Sequence, residues 1–200
     1  MSRTATINIY TVKELSEEAR QKAYYNWCGN NDYPWGEDNE NTLKEFEKVF
    51  PIKIRSWEYG DRGEHISFIF EGDEDIENLT GIRLMKYIYN NYYDNLFKGK
   101  YYSKVKYVNG TYTYKHRYSK IVKDNCCVLT GYSMDYDILQ PIYDYLKKPD
   151  NRTFKELLDD CLQSWLKACS TDYEDYYSWD SFLEESEVNE WEYTENGDIF

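Results

Sequence analysis

Two histidines, His65 and His116, are the only imidazoles this sequence offers as a general base near neutral pH. Nucleophilic hydrolysis of the Ser-His-Asp or Cys-His type needs such a base beside its nucleophile. Each His falls within or beside an expected strand, with no nucleophile signature around it. The five cysteines make no zinc pattern either. Cys126 and Cys127 are adjacent instead of C-x-x-C, and Cys161 and Cys169 share one face of an expected helix as small hydrophobes. Asp73, Asp75 and Glu77 begin like a calcium loop. Asn78 then stands where a glycine is required and Leu84 where the closing acid belongs. Gly60-Asp61-Arg62-Gly63 is a turn, not a phosphate cradle. From these residues the chain is read as not an enzyme, with no catalytic residue, no cofactor and no metal assigned.

What the sequence does offer is charge. There are 37 Asp and Glu against 24 Lys and Arg, a net of -13. Residues 79–123 hold ten bases and one acid, for +9, while residues 124–200 hold nineteen acids and five bases, for -14. Between Asp172 and Asp198 lie eleven carboxylates and no Lys or Arg. Interleaved with them are Tyr173, Tyr176, Tyr177, Trp179, Phe182, Trp191 and Tyr193, rings that a disordered acidic tail lacks. The segment 172–198 is therefore expected to be an ordered surface, with Asp172, Glu174, Asp175, Asp180, Glu184, Glu185, Glu187 and Glu190 as its partner-binding residues. A net negative chain argues against direct binding to nucleic acid or an anionic membrane and favours a basic partner. The competing feature is a basic, Tyr-rich ribbon at about 98–123. Its Lys104, Lys106, Lys115, Arg117 and Lys120 suit a nucleic-acid-binding accessory protein.

These side chains must be placed by a scaffold, and its centre is the stretch from Thr153 to Cys169. Phe154, Leu157, Leu158, Cys161, Leu162, Trp165, Leu166 and Cys169 recur at three- and four-residue steps, which puts them on one helical face. Asp150 or Asn151 is the expected cap. Before it the sequence predicts a first strand over Ala5–Val12 and a helix capped by Ser16 with Ala19, Ala23 and Trp27 inward. A helix follows from about Asn39 to Phe50, and then a hairpin of Ile52–Tyr59 with Glu64–Phe70. A long helix runs from Leu79 to Phe97 on a stripe of Ile82, Met85, Ile88, Tyr89, Tyr92 and Leu96. Asn109-Gly110 is the expected turn of the ribbon. A helix ending near Lys148 should have Pro141 in its first turn. A short helix from Trp179 to Glu190 with Phe182 and Val188 inward, and a closing hairpin around Glu195-Asn196-Gly197, complete the chain. The expected fold is α+β in one domain over residues 1–200, a small mostly antiparallel sheet packed by about five helices.

Three stretches resemble a family of small acidic uncharacterised proteins of phages and mobile elements in gut-type bacteria. Ile9-Tyr10-Thr11 and Glu14-Leu15-Ser16-Glu17-Glu18-Ala19-Arg20-Gln21-Lys22-Ala23 look like its opening. Asn125-Cys126-Cys127-Val128-Leu129-Thr130-Gly131-Tyr132 with Asp135-Tyr136-Asp137-Ile138-Leu139 looks like its middle, and Asn189-Glu190-Trp191-Glu192-Tyr193-Thr194-Glu195-Asn196-Gly197 like its end. The resemblance implies an anti-defence setting, in which anti-CRISPR proteins are the clearest group. The expected function is thus an inhibitor in the host cell cytoplasm that binds a host nuclease, or another basic nucleic-acid-binding protein, through the acidic surface. The basic middle departs from a pure DNA mimic. With no apolar run long enough to span a membrane, no membrane partner is expected, and the abundance of Tyr points to self-association as a homodimer.

Overall fold

The computed structural model describes residues 7–61, 63–108, 111–124 and 127–200, with the backbone alone over 98–124. Among the described residues the chain order is α1 (Glu17–Asn30), α2 (Gly36–Val49), β1 (Ile52–Glu58), β2 (His65–Phe70), α3 (Glu74–Glu77), α4 (Gly81–Leu96), β3 (Lys98–Val108), β4 (Thr111–Asp124), α5 (Met134–Lys147), α6 (Phe154–Tyr176) and α7 (Trp179–Val188). This is the expected α+β class. The strands form two separate antiparallel pairs, β1 with β2 and β3 with β4. The Asn109-Gly110 turn, the beginning of the first strand, Arg62 and Cys126 lie outside the described residues.

The chain packs as two compact units, one of residues 37–169 and one of residues 1–36 with 170–200. The larger unit is built on α6. All eight apolar residues of its stripe through Cys169 are buried, none more than 4% exposed. Its cap is Thr153, not Asp150 or Asn151. The Thr153 amide and hydroxyl donate to Glu156 Oε2 at 2.8 and 3.0 Å, and the Glu156 amide returns a bond to Thr153 Oγ1 at 3.2 Å. This reciprocal box satisfies orphan donors of the first turn. Around α6 pack Leu43, Phe46, Phe50, Ile52, Leu84, Ile88, Ile138, Leu139 and Ile142. Burying each such side chain contributes about 1.5–3 kcal/mol.

Two expectations shift in this unit. In α4 the buried positions are Leu84, Ile88 and Leu96, whereas Ile82 is 63% exposed. Pro141 lies inside α5, which begins at Met134, and not in its first turn. A proline there leaves one carbonyl of the preceding turn without its helical donor. In the first hairpin the backbone amide of Ile54 donates to Glu47 Oε1 at 2.5 Å, where the register shifts between Ile54 and Ser56. A side chain of α2 thus occupies a donor on the edge of β1.

A buried carboxylate ties the loop before α5 to the core. Asp135 is fully buried and accepts from the amides of Leu129 (2.9 Å), Thr130 (2.7 Å) and Gly131 (3.0 Å). The hydroxyls of Thr130 (2.6 Å) and Thr42 (3.4 Å) complete the set. Gly131 adopts φ +98°, a conformation that brings its amide into the concavity at no Cβ cost. The site in α5's first turn also gives the carboxylate the positive end of a helix dipole. Replacing Asp135 with Ala strands these buried donors. We expect Asp135→Ala to lower unfolding free energy by about 3 kcal/mol in a urea titration, against a change within about 0.5 kcal/mol for the exposed Asp159→Ala.

Candidate functional site: an acidic unit built on aromatic rings

The smaller unit gathers the charge. Residues 1–36 and 170–200 contain fifteen acids and four bases, a net of -11, and residues 37–169 contain 22 acids and 20 bases, a net of -2. Of the first strand expected over 5–12, the described residues 7–12 contain one bridge, Tyr10 to Tyr193, through a pair of backbone bonds of 2.9 and 2.8 Å. Tyr193 in turn bridges Ile199. The closing hairpin is therefore present, at the scale of a single bridge. α1 is capped by Ser16, whose oxygen accepts from the Ala19 amide at 3.2 Å, and it buries Ala19, Ala23 and Trp27 as expected.

Four tyrosine hydroxyls connect the acidic segment to α1 and the residues just after it. Tyr177 donates to the carbonyl of Asn31 (2.7 Å), the C-cap of α1, and Tyr176 to that of Asp32 (3.3 Å). Tyr24 donates to the Tyr177 carbonyl (2.7 Å), and Tyr33 makes a short bond to Asp172. The rings pack as a continuous set. Trp27 lies 6.4 Å from Tyr176, 6.2 Å from Tyr177 and 5.6 Å from Phe182, centroid to centroid, and Tyr24 lies 5.1 Å from Trp179. Tyr is suited to this role because its ring buries apolar area while its hydroxyl caps a carbonyl. That second task explains why α6 continues past Cys169 to Tyr176 through a segment crowded with acids.

The eight carboxylates proposed from sequence divide by environment. Glu185 is half-buried and accepts from the Trp27 indole N–H at 2.9 Å, and half-buried Asp172 is held by Tyr33. These two belong to the scaffold. Glu187 is exposed and pairs with Lys13 at 2.6 Å. Glu174, Asp175, Asp180, Glu184 and Glu190 are exposed and form no ion pair among the described residues. Asp180, Glu184 and Glu187 stand at i, i+4 and i+7 on α7, one face of that helix. Val188, expected inward, is 74% exposed, while Phe182 is fully buried.

Glu190 occupies a position that sequence reasoning did not distinguish from its neighbours. It follows the C-cap Asn189 with φ +52°, and the Trp191 amide bonds back to the Ser186 carbonyl at 3.0 Å. Helix ends of this geometry ordinarily place glycine there. The nearby Gly197 has φ +80°, and a Cβ on it would collide with the Ala19 carbonyl, so the closing hairpin seats directly on the backbone of α1.

Other residues weighed from sequence are scattered. Cys161 and Cys169 are buried in the core of the larger unit, and burial pushes the Cys161 thiol far up. Asp73 and Asp75 are exposed around the short α3, and the half-buried Glu77 pairs with Lys155 at 2.6 Å. His65 is exposed on β2, where Nε2 lies 3.2 Å from Ser56 Oγ, itself 2.7 Å from Ser67 Oγ. The strand register creates this neighbourhood, so no local motif could signal it. Open to water, it is a polar cross-strand ladder. The side chains of His116 and of Lys104, Lys106, Lys115, Arg117 and Lys120 fall outside the description. Among the described residues no helix is long and apolar enough to cross a membrane.

Two measurements follow from this geometry. Glu190→Gly relieves the left-handed backbone while removing one carboxylate, so it should raise unfolding free energy by about 0.5–1 kcal/mol. The second concerns alkali. Burial raises Tyr193, offset in part by its bond to Ser186, and burial with the nearby Glu185 and Asp32 raises Tyr176. Their stabilising contribution is complete below the ordinary tyrosine value of about 10 and is lost as pH rises through the higher folded values. Unfolding should accordingly set in above about pH 10, together with the rise in tyrosinate absorbance.

Compared with known proteins, the chain matches no protein-family model, no curated protein and no solved structure.

Proposed function

We propose that this protein is an inhibitor that occupies the cationic groove of a nucleic-acid enzyme, a host CRISPR effector nuclease, in the cytoplasm of the host cell. The observation that supports this reading is the net charge of -11 on an ordered unit whose exposed carboxylates stand on helical scaffolding. A groove that holds phosphates presents Lys and Arg at spacings set by the backbone of its ligand. Rigid carboxylates can meet those cations without the ordering cost that a disordered tail would pay. The resemblance read from the opening, middle and end of the sequence would imply the same setting. No catalytic step is assigned to the protein, since occupying the groove is sufficient to exclude substrate.

The contact surface in this reading is Glu174, Asp175, Asp180, Glu184, Glu187 and Glu190. Asp172 and Glu185 support it from behind by holding Tyr33 and Trp27. That division matters for mutagenesis, because reversing Glu185 would damage the scaffold along with the surface. The combined variant Glu174→Lys, Asp180→Lys, Glu184→Lys should weaken binding to the purified nuclease by about tenfold or more with its thermal unfolding unchanged. Wild-type affinity should also fall steeply as salt is raised, since exposed charges are screened over about 8–10 Å. Affinity that is flat with salt, or untouched by the triple reversal, rules the mechanism out.

A further inference from the structure

Among the described residues the strands β3 and β4 pair only with each other, in an antiparallel ribbon of 11 and 14 residues. Together they contain eight Lys and Arg and a single acid, Asp124, with six tyrosines. The register disperses these cations. In the backbone register Lys98 is the partner of Asp124, Lys100 of Val122, Lys106 of Thr113 and Arg117 of Ser103, so none of these cations is in register with another. Like charges directly opposite would weaken the ladder. Tyrosines, by contrast, are paired across it, Tyr102 with Tyr118 and Tyr107 with Tyr112.

The ladder is also interrupted twice. Its register shifts between Lys100 and Tyr102 and again between Ser103 and Val105. The first shift leaves Lys120 among the extra residues of β4, and the second leaves Lys115 and His116. Bulges of this kind increase twist and re-aim side chains, and they occur repeatedly next to functional sites. At about 3.3 Å per residue the shorter strand extends roughly 35 Å, enough for several nucleotides of an extended single strand.

We propose that the β3–β4 ribbon is a binding platform for single-stranded nucleic acid, independent of the acidic unit. Its cations follow phosphates and its tyrosines supply faces on which bases stack, an interaction tolerant of sequence. Residues 37–169, the unit that contains the ribbon, carry a net charge of only -2 out of the -13 of the whole chain. The multiple tyrosines select the single strand, since duplex bases have no free faces to offer them.

The test is fluorescence anisotropy of the full chain with labelled oligothymidylate, oligouridylate and a mixed-sequence duplex. Single strands of one or both backbones should bind at about 50 mM salt and lose roughly a hundredfold in affinity by about 200 mM, as for some five neutralised phosphates. The variant Lys104→Gln, Lys106→Gln, Lys115→Gln, Lys120→Gln should bind at least about tenfold more weakly and with a shallower salt slope. Tyr107→Leu with Tyr112→Leu should also weaken binding, whereas the matching Phe variants retain it. Should the combined Lys variant fail to fold by circular dichroism, Lys106→Gln and Lys120→Gln alone should each cost about two- to threefold. The acidic-unit triple reversal should bind single strands at least as tightly as wild type, which separates this proposal from the preceding one. Absence of binding at low salt, equal binding by the folded Lys variants, or duplex binding as tight as single-strand binding would overturn it.

Discussion

Carboxylates on residues 172–198 repel one another, and something stiff must hold them at close spacing. Here that is the aromatic set around Trp27. Its indole lies buried, donates to Glu185 and touches Tyr176, Tyr177 and Phe182. A leucine core could have supplied comparable apolar area, but it could not have satisfied polar groups at the end of α1. The hydroxyls of Tyr176 and Tyr177 do so at Asp32 and Asn31. The same rings therefore offset charge repulsion by burial and close a helix end by hydrogen bonding. This is why the acidic segment needs so many tyrosines and so few aliphatic residues.

The division of charge between the two units has consequences for any partner. A net of -11 on residues 1–36 and 170–200 against -2 on residues 37–169 means that the formal charge of the whole chain describes neither unit well. Electrostatic recognition is local at physiological ionic strength, so the charge of each unit, and not the formal total, is the relevant quantity. One chain can in this way present a polyanion and, within β3–β4, a cationic ribbon. Glu190 fits the same logic. A position whose backbone favours glycine instead holds a carboxylate, which is a cost in stability that a surface role would explain.

The larger unit obeys a different economy. Its core is aliphatic and aromatic around α6, and its buried charge, Asp135, is surrounded by donors instead of cations. A carboxylate satisfied by amides fixes a loop without requiring a matching base inside the core. The Thr153–Glu156 box and the Glu47–Ile54 bond follow the same pattern, with side chains completing backbone hydrogen bonds that regular structure leaves open.

Much of this architecture was legible in the sequence because it depends on short-range periodicity. The face of α6 through Cys169, the Ser16 cap with Ala19, Ala23 and Trp27, and the alternation that puts Ile66, Phe68 and Phe70 on one side of β2 are all local patterns. The crowding of carboxylates among rings near the C-terminus was equally visible. What escaped was whatever required distant partners. The helix runs on to Tyr176, where hydroxyls from 176 and 177 find carbonyls at 31 and 32, and in α4 Leu84 is buried while Ile82 is exposed. Tertiary structure alone decided that both termini share one unit, so that Glu185 answers to Trp27 and becomes scaffold while Glu184 beside it remains surface. Composition determines how much charge a chain carries, but only packing determines which charges have been used up inside it.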